Sequence, residues 1–242
     1  MKLFKEAFRF KETQCTIIAD KKQGMQTAIK SIKQNRKALE EYVEAHPKFL
    51  YTLEPVPAPA VPLVAKLMAE AAEKVNVGPM AAVAGVLADL AVNDMVADGC
   101  EVAVVENGGE ISALSNVPID VAVAAGDTPL SKRFGFRLTD FPVGIATSSG
   151  RFSHALSFGD AEAATVFCRN AGLADAAATA VGNVVKGDDY LGAIQQGIDK
   201  VLSIQEVEGV LIMYKGHVGT TGKIPQLIKV AQGNLQIGRK TC

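Results

Sequence analysis

Apolar residues recur along this chain in two rhythms. Near the N-terminus the period is two. Phe4, Phe8 and Phe10 share a parity with mainly polar residues between them, and Cys15-Thr16-Ile17-Ile18 follows a short polar turn. Alternation of this kind places one row of side chains on each face of an extended strand, so residues 3–11 and 14–19 predict a β-hairpin. From Lys22 the rhythm lengthens to that of a helix. Met25, Ile29, Ile32, Leu39 and Tyr42 recur with Lys, Arg and Glu between them, which predicts an amphipathic helix ending at His46-Pro47.

The same two rhythms organise the rest of the chain. Residues 49–53 read as a short strand. Four prolines in residues 54–62 exclude a helix interior or a central strand and predict an extended connector. Residues 63–77 repeat Leu63, Leu67, Ala71 and Val75 at helical spacing. Gly78-Pro79 then breaks the chain, and Pro79 suits the first position of a new helix over 80–97. That helix is made almost wholly of small apolar residues, so a neighbour can approach it closely, above all at Gly85.

Residues 101–107 and 110–114 read as strands around Asn107-Gly108-Gly109, a turn whose residues tolerate positive φ. Residues 119–125, 134–138, 143–147, 165–169 and 207–214 are further strands. Residues 173–186, with Asn170 as a candidate N-cap, and 190–204 are helices. Residues 216–223 resemble a phosphate-binding loop but fail its pattern: the first glycine is one place early and Ile224 stands where Ser or Thr is needed. They read as a turn. Many short strands joined by turns predict an α+β chain, with an antiparallel sheet backed by helices. No G-x-G-x-x-G opens a helix after a strand, so a Rossmann site is not indicated.

Composition narrows the classes. The chain has 242 residues, 48% hydrophobic and 21% charged, which suits one large domain over 1–242 with a substantial core. A net charge of −1 gives no basis for a nucleic-acid or anionic-membrane partner. The four cysteines are scattered without zinc spacing, so free thiols in a reducing compartment are expected. Charges interrupt the N-terminus every few residues, unlike a signal peptide. No run of about eighteen uncharged apolar residues stands out as a membrane span. The expectation is a soluble, cytoplasmic protein. Its small-residue helix faces permit a homo-oligomer without demanding one.

Candidate chemistry concentrates in residues 144–186. Thr147-Ser148-Ser149-Gly150 is a loop of small hydroxyl residues that can present hydroxyls and backbone N–H groups to a phosphate, or simply form a turn. Asp175 and Thr179 are four apart, so a helix stacks them one turn apart on one face. Two hard oxygens so placed suit Mg²⁺ with room left for phosphate oxygens and water. Spacing alone leaves two other readings open. Asp complements a helix dipole, and Thr bonds the carbonyl four residues back.

The segment resembles the ApbE family, FAD-dependent flavin transferases. The resemblance rests on Ala146-Thr147-Ser148-Ser149-Gly150, similar to the family's ATSG loop, and on Ala174-Asp175-Ala176-Ala177-Ala178-Thr179, similar to its A-D-x-x-x-T helix. It implies a T-fold-like architecture with internal duplication. It implies Mg²⁺ on Asp175 and Thr179 beside FAD or another nucleotide, and phosphate contacts from Thr147, Ser148, Ser149 and Gly150. It also implies that Gly108, Gly109 and Glu110 line the flavin, since they resemble the family's N-x-G-G-D turn.

The chain departs from the family pattern at several places. Glu106 and Glu110 replace that turn's Asn and Asp. Gly85 and Asp89 match a second segment, but Ala84 stands where the family has lysine. The family's histidine–aspartate–proline segment is missing, and His154 is the candidate acid–base residue in that interval. The chain most resembles a shorter, cytoplasmic branch of the superfamily. The implied activity is Mg²⁺-assisted transfer of a flavin or nucleotide phosphate. The alternatives are a non-catalytic small-ligand-binding protein and an oligomeric scaffold.

Overall fold

A computed structural model describes residues 1–122, 134–149 and 159–229. The chain opens with the hairpin β1 (Phe4–Phe10) and β2 (Thr13–Ala19), then α1 (Lys22–Ala45), as the two rhythms require. Next comes α2 (Pro47–Tyr51), where a strand was expected. Pro47 sets φ for a first helical turn, and Phe49 packs edge-on against Tyr42, 5.1 Å between ring centroids. This local packing overrides a short apolar run that spacing could not classify.

The proline-rich connector has no regular structure and leads to α3 (Leu63–Val75). A 3-10 turn, Pro79–Ala82, precedes α4 (Val83–Ala97). By length and composition the stretch Pro79–Ala97 could cross a membrane; half of its apolar window is buried against the rest of the chain. Strands β3 (Val102–Asn107) and β4 (Glu110–Ser115) flank the turn whose Gly108 and Gly109 have φ of 72° and 124°.

Then follow β5 (Ile119–Ala122), β6 (Phe134–Leu138), β7 (Val143–Ser148), β8 (Ala163–Cys168), α5 (Ala171–Val184), α6 (Tyr190–Leu202) and β9 (Val207–Tyr214). The expected turn at residues 216–223 is instead strand β10 (His217–Gly222), and β11 (Gln226–Lys229) follows. Thr220 and Thr221 favour extended backbone, and β10 pairs with β9 along its whole length, so tertiary pairing outweighs the glycines.

Every strand pair among the described residues is antiparallel. Eight strands form a large sheet in the order β1-β2-β3-β4-β7-β8-β9-β10, and three form a small sheet, β11-β6-β5. In the middle of the large sheet, β4 and β7 meet over only three paired positions.

Strand parity divides the core. On one face, Ile17, Ala103, Val105, Ala146, Val166 and Ile212 pack against the helices. On the other, Ile18, Val104, Ile111, Ile145 and Phe167 pack against Ile119, Val121, Phe136 and Leu138 of the small sheet. The result is three layers: helices, large sheet, small sheet.

Candidate functional site

The site is built where two helices meet the centre of the large sheet. Gly144 on β7 lets α5 begin directly above it, because a Cβ there would lie 2.0 Å from the Asn170 carbonyl carbon. Asn170 caps the helix as expected, its Oδ1 accepting from the Leu173 N–H at 2.8 Å. From that contact α5 and β7 both run toward the turn at Gly108-Gly109. The eight helical steps from Ala171 to Thr179 rise about 12 Å, and the four strand steps from Gly144 to Ser148 rise about 13 Å. Thr179 and Ser148 are therefore at one level. Asp175 is level with Ala146, and Ser112↔Gly144 pairing brings Glu110 to the same height. Glu110 shares the parity of Ser112, which faces the helices.

Asp89, Glu110, Asp175 and Thr179 are all partly exposed among buried neighbours. Protein atoms nevertheless crowd the carboxyl groups of the three acids. Asp175 Oδ2 accepts from the Gly85 N–H at 3.0 Å. Burial, and then the charge of Asp89, push the Asp175 carboxyl up to about 7, against the opposing amides of Gly85 and Ala84. Glu110 is raised well above the ordinary carboxylate range, first by burial and then by Asp175 and Glu106. Burial also raises Glu106, opposed by Thr16 and the Gly109 amide. Asp175 and Glu110, crowded on the helix face of the sheet, resist full ionisation together, and a bound cation would relieve them.

Among the described residues, no group of three or more His, Cys, Asp and Glu side chains is arranged to hold a metal ion. The oxygens these elements carry are those of the Asp175 carboxylate, the Thr179 hydroxyl and the Glu110 carboxylate. That hard, incomplete set fits Mg²⁺, which keeps waters and takes phosphate oxygens rather than filling its shell from protein.

The hydroxyl loop divides between the two faces of the sheet. Thr147 has the parity of Ile145 and faces the small sheet, where its Oγ1 lies 2.9 Å from Thr165 Oγ1. Its side chain is thus committed on the face away from Asp175, a geometry fixed by the two-residue period of the strand. Ser148 has the opposite parity and faces the helices, and Ser149 is buried. Gly150 and His154 lie outside the described residues.

Sequence spacing did not reveal the partners of these groups. Asp89 bonds to Ser112 and to the first amides of α5, and Asn107 Nδ2 donates to the Ala84 carbonyl at 2.9 Å. The two glycines Gly85 and Gly172 were the available signal. Each sits where only a bare backbone permits the helices to touch.

Comparisons with known proteins fit this architecture. The family model described as AbpE bacteria matches residues 4–203. A UPF0280 protein from Methanococcus vannielii is 38% identical over 234 residues, covering 95% of this chain and 94% of its own. Another from Methanococcoides burtonii is 40% identical over 228 residues, covering 93% and 95%. Among solved structures, the apo flavinyl transferase ApbE of Pseudomonas stutzeri superposes with a TM-score of 0.59 at 13% identity, covering 91% of this chain and 94% of that one. The ApbE protein of Thermotoga maritima gives 0.57 at 12% identity, covering 91% and 97%. At these identities the likeness is one of fold.

Proposed function

The chain belongs to the AbpE bacteria family, and on that premise we propose that it binds a flavin or nucleotide phosphate together with Mg²⁺ and transfers the flavin phosphate to an acceptor hydroxyl. One observation carries the reading. Asp175 is partly exposed, one of its oxygens accepts from the Gly85 amide, and it stands close enough to Glu110 to raise that group's proton affinity. Such a carboxylate is fixed in place and short of positive charge. In the same reading Thr179 completes the cation's protein ligands, and Ser148, Ser149 and Gly150 contact phosphate oxygens. The glycine turn lines the flavin. The whole chain acts as one T-fold-like unit, and the matching ββ-helix arrangements on either side of the β4–β7 junction support an internal duplication.

The structural neighbours from Pseudomonas stutzeri and Vibrio cholerae are flavin transferases, and they supply the substrate class. With FAD as donor, the pyrophosphate P–O bond breaks and the phosphorus of the flavin half bonds to the acceptor oxygen. AMP leaves, and the hydroxyl proton passes to a base, for which His154 is the candidate. A bound cation would neutralise charge gathering on the leaving phosphate. In this reading the residues of this chain hold the donor in line and fix the leaving group's side.

A second reading has its own support. Ala84 stands at the position of the family lysine, which favours binding of the same ligand without transfer.

Thermal shift with FAD, with and without Mg²⁺, tests the site. The proposal requires a rise in Tm only when both are present, and its loss in Asp175→Asn. AMP release with a hydroxyl-bearing acceptor peptide separates transfer from binding. No shift with any flavin or nucleotide sinks both readings.

A further inference from the structure

Helices α4 and α5 exchange carboxylates. They touch at glycines: a Cβ on Gly85 would lie 2.1 Å from the Ala171 carbonyl oxygen, and one on Gly172 would lie 2.6 Å from Val86 Cγ2. Neither helix has an acid in its own first turn, and Ala82 at the start of α4 provides no side-chain cap. Each helix borrows one from the other. Asp175 on α5 accepts from the amides at the start of α4, Gly85 at 3.0 Å and Ala84 beside it. Asp89 on α4 accepts from the first two amides of α5, Ala171 at 2.9 Å and Gly172 at 2.8 Å. Asn170 reaches only the Leu173 amide, so Asp89 supplies what the local cap cannot.

Asp89 has a third tie. Ser112 Oγ on β4 donates to its Oδ1 at 2.6 Å, two residues from Glu110. Both Asp89 oxygens are therefore spent inside the protein, which removes it from the candidate ligands. Among the described residues it is a side chain of α4 bonded to both α5 and β4, the elements that carry Asp175, Thr179 and Glu110.

We propose that Asp89 is a positioning residue: by taking the first amides of α5 and the hydroxyl of Ser112, it sets α5 against β4 and thereby fixes where Asp175 stands relative to Glu110. The reciprocity makes this testable without any ligand. If Asp89 merely caps α5, its loss loosens Ala171 and Gly172 alone. If it sets the helix pair, its loss also frees the amides of Ala84 and Gly85, which Asp89 does not touch.

Amide hydrogen exchange by NMR on the full chain decides between them. Asp89→Asn keeps the shape but turns one acceptor into a donor facing an N–H. The expected result is exchange about tenfold faster at Ala171 and Gly172 and also at Ala84 and Gly85. Leu138→Ala, in the far core, is expected to leave the ratio of these four amides to the rest unchanged. Ser112→Ala removes one of the three bonds, should produce the same pattern in smaller measure, and carries the test if Asp89→Asn does not fold. Acceleration confined to Ala171 and Gly172, or absent, overturns the proposal.

The functional side of the inference rests on the flavin reading above, and has its own arm. At a temperature where both proteins are folded by circular dichroism, Asp89→Asn is expected to bind FAD with Mg²⁺ about tenfold more weakly. Equal affinity overturns the positioning role. A wild-type protein that ignores FAD sinks the flavin reading, while the exchange result still decides Asp89.

Discussion

The two faces of the large sheet are packed on opposite plans. Toward the small sheet the contacts are bulky: Ile111, Ile145, Leu138 and the edge-on pair Phe136–Phe167, 4.8 Å between centroids. Toward the helices at the site they are small: Ala146, Ala174, Ala177 and Ala178, with Gly85, Gly144 and Gly172 at the closest approaches. Large side chains hold layers apart and contribute by burial, roughly 1.5–3 kcal/mol each. Small ones bring backbones together, so that amides of one helix come within reach of carboxylates from another. The far face provides stability that any apolar shape of the right volume could supply. The near face holds a polar arrangement that only one shape permits.

Adding atoms on the near face should have the largest effect. Gly85→Val drives a side chain into the Ala171 carbonyl, and both nearest atoms are backbone, which cannot rotate away. The expected outcome is loss of the cooperative unfolding transition by circular dichroism. A folded variant with wild-type Tm would mean the helices do not need this contact.

Removing atoms on the far face should come second. Phe167→Ala leaves a cavity and is expected to lower stability by about 3–5 kcal/mol in urea titration. Below its Tm it should keep the wild-type response to FAD and Mg²⁺. Loss of that response would show that the two faces are not independent.

Titration sharpens the contrast further. An acid whose folded-state pKa is raised takes up a proton on folding, so the folded state is favoured at low pH and loses that advantage as pH rises. For Asp175 the loss runs from its ordinary 3.8 to about 7. Metal-free protein is therefore expected to become less stable from pH 4 to pH 7, by roughly 2–4 kcal/mol. Asp175→Asn should flatten that slope, and Mg²⁺ with FAD should restore stability to wild type at neutral pH but not to the variant. A slope unchanged in Asp175→Asn would assign the proton elsewhere.

The smallest expected effect separates neighbours on one strand. Thr147→Val leaves the buried Thr165 hydroxyl without its partner and should lower stability by about 1 kcal/mol with no change in ligand response. Ser148→Ala should do the reverse. Exchanged outcomes would mean that strand parity does not govern which hydroxyl meets the ligand.

The sequence made the far face legible and left much of the near face hidden. The turn residues Asn107-Gly108-Gly109 marked both strands flanking them, and helical spacing bounded α1 at Lys22 and Ala45 as found. The misassigned pieces, residues 49–53 and 216–223, are short, and there packing or pairing outweighs local preference. Asp175 and Thr179 could be singled out because they are four residues apart on one helix. Asp89 and the amides of Ala171 lie 82 positions apart, and no local rhythm encodes a contact that only the folded layers create.

The β4–β7 junction has a further consequence. It carries three paired positions where every other joint in the large sheet has five or more. Strands before it come from the first 115 residues, and those after it from residue 143 onward. The sheet is thus a zip with its fewest teeth in the middle, and Asp89 and Asp175 are stitches sewn across that gap. A molecule seated on both Asp175 and Glu110 would weld the two halves, and their breathing would quieten when it arrived.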